Sequence, residues 1–452
     1  MIQKKLLLIS ANSHTNPYPV YPLGLAYIAS AIKRQLPHYR VRVFDIMLDQ
    51  EHELEKVIGE FKPDSVGISL RNIDDIDIQT KHSFVEGYKS IISTIRSVSK
   101  ASIIIGGAGF SIYPVTLFDF LQPDFGIYGE GEDSLCRLLT SLENKSPFTD
   151  IGNLIYSKNG KTIFNKRISY YKDIQVEFQS DLLDYYWKNS GMLNVQTKRG
   201  CPFKCIYCTY PLIEGRKVRT LNIDHIISTI KNLYETKGID YIFFTDSVFN
   251  INKKYNLEFA RKLIKSNVKV HWNAYFTPCK LDDESIKLFK EAGLTHVEFG
   301  TESLSDTQLR NYGKHFNFED VLRVSELCNK YKIYFAHSLI LGGYGETEET
   351  LAETFENSKK INNTVYFPFI GMRIYPGTKL CEYAIREGKI SAGDPLILPK
   401  WYMATGIDIE KIRAGALQSG KNWLFPDEDI SEVMAKMRAK NKKGPLWHYL
   451  IK

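Results

Sequence analysis

The sequence predicts an α/β protein in which a doubly wound parallel sheet is followed by a partial (β/α)6 barrel and a small C-terminal region. Three observations predict it. Short apolar runs alternate with amphipathic segments through residues 1–145 and again through 191–378, which is the pattern of parallel strands joined by helical crossovers. Glycines collect where several of those runs end. A compact cysteine triplet directly follows the first run of the second series, where a barrel opens its mouth.

In the first series, Leu6–Ser10 reads as the opening strand. Pro22 to Lys33 follows as a helix with proline in its first turn. Four further strands are expected at Val41–Asp45, Ser65–Ser69, Ser102–Gly106 and Phe125–Tyr128, with helices near Glu53–Glu60, Ser83–Ser97 and Glu132–Leu142. Residues 146–190 lose this regularity and are expected to form a connector packing across two domains. Within it Asn159-Gly160 predicts a small hairpin between Leu154–Tyr156 and Thr162–Phe164.

The second series predicts strands at Leu193–Lys198, Tyr241–Thr245, Val268–Ala274, His296–Gly300, Tyr334–Leu341 and Val365–Arg373. Helices are expected near Asp224–Thr236, Asn256–Ser266, Asp283–Glu291, Phe318–Tyr331 and Glu346–Ile361. Such a barrel places its chemistry at the C-terminal ends of its strands. Residues 379–452 are expected to cap it, with Trp401, Tyr402, Trp423, Trp447 and Tyr449 as core packing or as a cage for a small or lipid-like molecule.

Composition narrows the setting. With 452 residues and 43% hydrophobic content the chain can bury several cores. The net charge of +7 is spread along the chain and gives no reason to expect nucleic acid. The densest basic stretch, Lys436 to Lys443, reads as a solvated helix end. No apolar run reaches membrane length or suits a signal peptide, and the other four cysteines are scattered, so a reducing cytoplasm is expected.

The triplet is Cys201, Cys205 and Cys208, spaced CxxxCxxC with no fourth cysteine nearby. Three thiolates on one loop can hold three irons of a 4Fe-4S cluster and leave the fourth open. A closed zinc site wants four ligands, and His225, the next histidine, is too distant to complete a compact one. Gly200 lets the loop turn tightly before the first thiol.

These features resemble the radical S-adenosylmethionine superfamily. The resemblance implies that Cys201, Cys205 and Cys208 ligate the cluster, that its open iron chelates S-adenosylmethionine, and that one electron then yields a 5′-deoxyadenosyl radical. It places Asp246, Glu302, Gly342, Gly343, Gly345 and Arg373 as contacts for the cosubstrate, with Glu298 deeper along the same strand face as Glu302. Where the family more often has Gly-Gly-Glu after the second strand, this chain has Thr245-Asp246-Ser247. An external electron donor of the flavodoxin or ferredoxin type is also implied.

The N-terminal glycine loops resemble the cobalamin-binding domain found ahead of many such barrels. Pro22, Leu23, Gly24, Ser69, Leu70, Arg71, Gly106, Gly107, Gly129, Glu130 and Gly131 are then expected to surround a corrin. The Asp-x-His-x-x-Gly run that supplies a lower cobalt ligand in cobalamin mutases is absent. A base-off cobalamin without a protein histidine is therefore expected, its lower face meeting water or the Arg71-Asn72 loop. Together these imply a cobalamin-dependent radical enzyme that methylates an unactivated carbon of a small molecule. The alternatives are a radical cyclisation, oxidation or rearrangement with the same cofactors, or a barrel whose N-terminal domain is only scaffold. The catalytic residues themselves are not legible.

Overall fold

The computed structural model describes residues 3–428 and 430–451. Seven strands form the first sheet: β1 (Lys4–Ser10), β2 (Tyr39–Asp45), β3 (Ser65–Ser69), β4 (Ser102–Gly106), β5 (Phe125–Ile127), β6 (Leu154–Lys158) and β7 (Lys161–Phe164), in the order β2-β1-β3-β4-β5-β6-β7. Strands β1 to β5 are parallel. Their central residues are apolar on both faces because helices cover both sides, and Leu6, Leu7, Leu8 and Ile9 are all buried. The order reverses between β1 and β3, so the loops leaving those strands diverge and open a crevice at their C-terminal ends.

The expected hairpin is present, with Asn159 and Gly160 both in the left-handed region that a two-residue turn requires. It does not belong to a separate connector. Strand β6 pairs antiparallel with β5, so the first sheet continues to Phe164, beyond the expected end at residue 145. The remainder of the connector does cross between the two units. Gln179 N donates to Tyr21 Oη at 2.8 Å, Tyr186 Oη to Asp45 Oδ2 at 2.8 Å, and Val176 N to His225 Nε2 at 3.2 Å.

The second unit begins with β8 (Leu193–Val195), β9 (Lys198–Arg199) and β10 (Arg219–Thr220). It continues with β11 (Tyr241–Phe244), β12 (His271–Phe276), β13 (Leu294–Glu302), β14 (Tyr334–Leu341), β15 (Thr364–Ile370), β16 (Met372–Arg373) and β17 (Trp401–Tyr402). Strands β8 and β11 to β15 form the expected six-stranded parallel sheet, in the order β15-β14-β13-β12-β11-β8. Two expected strands are divided. The first leaves the barrel after Val195 so that β9 pairs antiparallel with β10. The last breaks at Gly371, which has φ +68°, and β16 then pairs with β17.

Alternation along the barrel strands separates two environments. Trp272, Val297, Phe299 and Phe335 are buried in the main core under the crossover helices. Tyr241, Phe243, Asn273, Tyr275, His296 and Glu298 take the alternate positions and turn into the lumen. Part of the expected cap packs at the barrel mouth, where Ala404 N donates to Gly342 O at 2.8 Å, but residues 447–450 lie elsewhere. A turn of 3₁₀ helix, Trp447–Leu450, enters the lumen from the opposite end. There His448 Nδ1 and His296 Nε2 are 2.7 Å apart, and Trp447 packs against Ala336 and Val365. An open barrel needs such a plug, since its lumen would otherwise fill with water. Trp423 is also core, stacked on Tyr366 with ring centroids 4.6 Å apart. No helix of the described residues is long and apolar enough to cross a membrane.

Asp45 is fully buried beneath Tyr186, and burial pushes its carboxyl up to about 6. A raised pKa means that the folded protein holds the proton more tightly, so this contribution to stability is lost as pH rises through the folded value. Relative to Asp45→Asn, the wild type is expected to lose about 3 kcal/mol of stability between about pH 4 and pH 7. Urea unfolding of both proteins across that range measures it. Parallel pH profiles would contradict the assignment.

Candidate functional site

A cavity of about 260 Å³ opens between the first sheet and the helices Leu23–Gln35 and Glu132–Asn144. Its rim is made by Leu23, Gly24, Ser69, Gly106, Gly107, Gly129, Glu130 and Gly131, all expected from the sequence. Leu8, Gly67 and Ile104 also line it, and its walls are mainly apolar. Gly107 is required by the turn: its φ is +101°, and a Cβ there would lie 2.6 Å from Leu70 O. Three expected residues do not line the cavity. Pro22 caps the helix, Leu70 is buried core, and Arg71 is exposed outside the lining.

The outer end of this cavity is lined from the barrel, by Gln196, Arg199, Ile213 and Glu214. Arg199 immediately precedes the cysteine loop and is only 6% exposed. Its guanidinium lies 2.8 Å from Glu132 and 3.7 Å from Glu130, and 4.8 Å over the ring of Tyr27. Arg219 also pairs with Glu130. Of this seam, sequence reasoning named only Glu130. Nothing in the spacing relates an arginine after a barrel strand to carboxylates in an earlier domain.

The cysteine loop turns on Gly200, with φ +90°, where a Cβ would lie 2.2 Å from Lys217 O. Cys201 N donates to Gly215 O at 3.0 Å and Ile206 N to Tyr312 O at 3.1 Å, so both ends of the loop are fixed. Cys205 lies close enough to Cys201 and Cys208 to raise the pKa of both, after burial. Burial first, and then the neighbouring Cys205 and Cys201, push Cys208 up to about 12. Among the described residues no three His, Cys, Asp or Glu side chains converge on a single-ion site. A cubane takes one thiolate per iron, so its ligands surround a body of several atoms. Soft sulfur donors on a fixed loop beside a buried lysine fit that body.

The lysine is Lys314. Its Nζ donates to Gly300 O at 3.0 Å and to Glu302 Oε1 at 3.3 Å, and Cys205 and Cys208 raise its pKa further. Glu302 itself has φ +70°, next to a register shift in the β13–β14 ladder. That strained backbone turns the carboxylate toward the cysteine loop, where Tyr207 also meets it. Glu302 is therefore on the cysteine-loop side of the barrel.

Five expected contacts are engaged elsewhere. Asp246 is fully buried, accepting from Thr197 N at 2.7 Å, Lys198 N at 3.0 Å and Lys198 Nζ at 2.7 Å, and from the Thr197 hydroxyl. It latches the strand that carries the cysteines and has no free edge for a cosubstrate. Arg373 is likewise buried, with Asp74 and Tyr113 of the first domain at 2.9 Å and the carbonyls of Leu396 and Lys400 at 3.3 Å. It ties three regions together. The space left by the missing side chains of Gly342, Gly343 and Gly345 is taken by Met403, Tyr312 and Asn311, so these glycines serve packing.

Below the cysteine loop, residues of both units line a cleft. Tyr210 and Tyr275 expose 39% and 38% of their surface, and burial of their hydroxyls raises the pKa of both. Tyr18, from the loop after β1, packs on Met192, Tyr241 and Phe243 and closes the gap beside β8. Arg71, exposed and without an ion pair among the described residues, is felt electrostatically by Tyr18, Tyr210 and Tyr275. Glu298 lies on the same wall. Its carboxyl accepts from Trp447 Nε1 at 3.2 Å, and burial pushes it up to about 7.

Comparison with known proteins agrees with this division. Residues 10–139 match the family model of the B12 binding domain, and residues 195–357 that of the Radical SAM superfamily. An uncharacterized methyltransferase of Pyrococcus horikoshii is 27% identical over 425 residues, covering 92% of this chain and 86% of its own. The tryptophan 2-C-methyltransferase of Streptomyces laurentii is 21% identical, covering 83% and 74%. The solved structure of the radical S-adenosylmethionine methyltransferase TsrM from Kitasatospora setae, with cobalamin and a 4Fe-4S cluster bound, superposes with TM-score 0.87 at 19% identity. It covers 99% of this chain and 97% of that one, and at this identity the likeness is one of fold.

Asp246→Asn leaves the buried Lys198 ammonium without its counter-charge. It is expected to lower stability by about 3–5 kcal/mol, read from chemical denaturation. A midpoint equal to that of the wild type would mean that Asp246 is not the latch of the cysteine strand.

Proposed function

Taking as premise that the chain is a radical SAM protein with a B12-binding domain ahead of its radical SAM domain, we propose that it is a cobalamin-dependent radical methyltransferase. Its substrate is a small molecule carrying an unactivated carbon. The observation that carries this reading is that the glycine-rimmed cavity and the cysteine loop meet at one buried seam, Arg199 with Glu130 and Glu132.

Cys201, Cys205 and Cys208 would hold the cluster, Glu302 would accept hydrogen bonds from the bound cosubstrate, and Leu23, Gly24, Ser69, Gly106, Gly107 and Gly129–Gly131 would hold the corrin. When bound, these groups supply a carbon-centred radical and a methyl group, which nucleophilic chemistry cannot deliver to such a carbon.

The chain's own residues set the conditions. Lys314 places a positive charge beside the thiolates and orients Glu302. Trp447 and His448 keep water out of the lumen from below, and Tyr18 closes its side. Exposed Lys204, Arg216, Lys217 and Lys280 lie on and around the cysteine loop, a basic surface suited to an acidic electron donor of the flavodoxin or ferredoxin type. Unpaired thiols throughout suit the reducing cytoplasm, where we place the protein.

Gly24 offers a clean test, because a Cβ there meets nothing within 4 Å, yet the residue lines the cavity. After anaerobic reconstitution with iron, sulfide and hydroxocobalamin, the wild type is expected to retain cobalt and to form S-adenosylhomocysteine as well as 5′-deoxyadenosine. Gly24→Trp is expected to keep its iron, lose cobalt by about tenfold or more, and form only 5′-deoxyadenosine. Cobalt retained by Gly24→Trp would move the corrin out of this cavity. A wild type that forms 5′-deoxyadenosine alone would assign the protein to non-methylating radical chemistry.

A further inference from the structure

We propose that the floor of the barrel lumen binds a protonated amine, recognised by Glu298 and Asn273. The proposal deepens the methyltransferase reading, and rests on it only in giving that amine to the substrate.

Glu298 on β13 stands directly opposite Tyr275 on β12. Asn273 lies two residues before Tyr275 on the same lumen face, between Phe243 on one side and His296 on the other. It is fully buried, and neither its amide nitrogen nor its amide oxygen has a partner. A buried amide with both ends unpaired is costly, and such groups are ordinarily satisfied by water or by a ligand. The surrounding lumen residues do not supply that partner. His296 is held by Tyr241 and His448, and Trp447 is turned to Glu298.

Glu298 is incomplete in a complementary way. Its hydrogen-bond partner is a single neutral indole N–H, and among the described residues no lysine or arginine pairs with it. The nearby Arg438 donates to the carbonyls of Lys442 and Gly444 instead. A carboxylate held in a low-dielectric, aromatic-walled space lacks only a cation, and the faces of Tyr18 and Tyr275, which feel its charge, favour the same occupant. The other charged ion-pair residues in this part of the protein are already matched: Lys198 with Asp246, Arg373 with Asp74, and Arg199 with Glu132. Glu298, with one neutral donor, and Asn273, with no partner at all, are the lumen's under-satisfied buried polar groups.

Titration calorimetry of the reconstituted holoprotein with 2-phenylethylamine and with its uncharged isostere 2-phenylethanol tests this without turnover. The wild type is expected to bind the amine at least about tenfold more tightly than the alcohol. Glu298→Gln keeps the shape and is expected to abolish that preference while iron and cobalt contents stay unchanged. Asn273→Leu removes the orphaned amide, and is expected to weaken amine binding about threefold without lowering the unfolding temperature. Equal binding of the two probes by the wild type, or an amine preference that survives in Glu298→Gln, would overturn the proposal. Should Glu298→Gln fail to fold, unchanged affinity in Asn273→Leu would do so. An amine preference in a protein that forms no S-adenosylhomocysteine would leave this site standing and remove the methyltransferase reading. The reverse result would remove the site alone.

Discussion

The arrangement depends on one buried guanidinium. Arg199 ends the strand from which the cysteine loop departs, and it is held by two carboxylates of a glycine loop in the preceding domain. A buried ion pair adds little net stability compared with well-packed apolar residues, but breaking one is costly. Its effect is therefore registration. The pair allows one position of the barrel mouth over the first sheet, the position in which Gln196, Arg199, Ile213 and Glu214 complete the glycine-rimmed cavity.

The same logic recurs at the other strand ends. Lys198 with Asp246 fixes the turn before the cysteines, and Arg373 with Asp74 fixes the far side of the barrel against the first domain. Each of these buried charges is fully matched and hydrogen-bonded, as low-dielectric surroundings demand. Glu298 and Asn273 break the pattern, and they do so in the lumen. Matched charges build the frame, and unmatched polar groups mark what it encloses.

What was legible in the sequence follows from how local each signal is. Ser65–Ser69, Ser102–Gly106 and Asp283–Glu291 have the bounds expected of them, because continuous apolar runs and helical spacing are properties of a few adjacent residues. The cysteine triplet and most of the glycine rim are local in the same sense. Asp246 and Arg373 were placed at a ligand because each is a charged residue at a strand's C-terminal end. Their partners, Lys198 and Asp74, are remote in sequence, and no periodicity links them. The glycines after β14 were read as room for a ligand, while that room is filled by Met403, Tyr312 and Asn311 from distant segments. The plug by Trp447 and His448 was illegible for the same reason: it depends on a lumen that exists only once the strands have assembled.

The central claim is that one chain holds a cluster and a corrin facing a common cleft. Electron paramagnetic resonance of the anaerobically reconstituted holoprotein tests it most directly. With cobalt in its paramagnetic +2 state, reducing the cluster is expected to broaden and split the cobalt signal, because the two spins lie across a single seam. A cobalt signal unchanged by cluster reduction, in protein that holds both metals, would place the two cofactors apart and contradict the account.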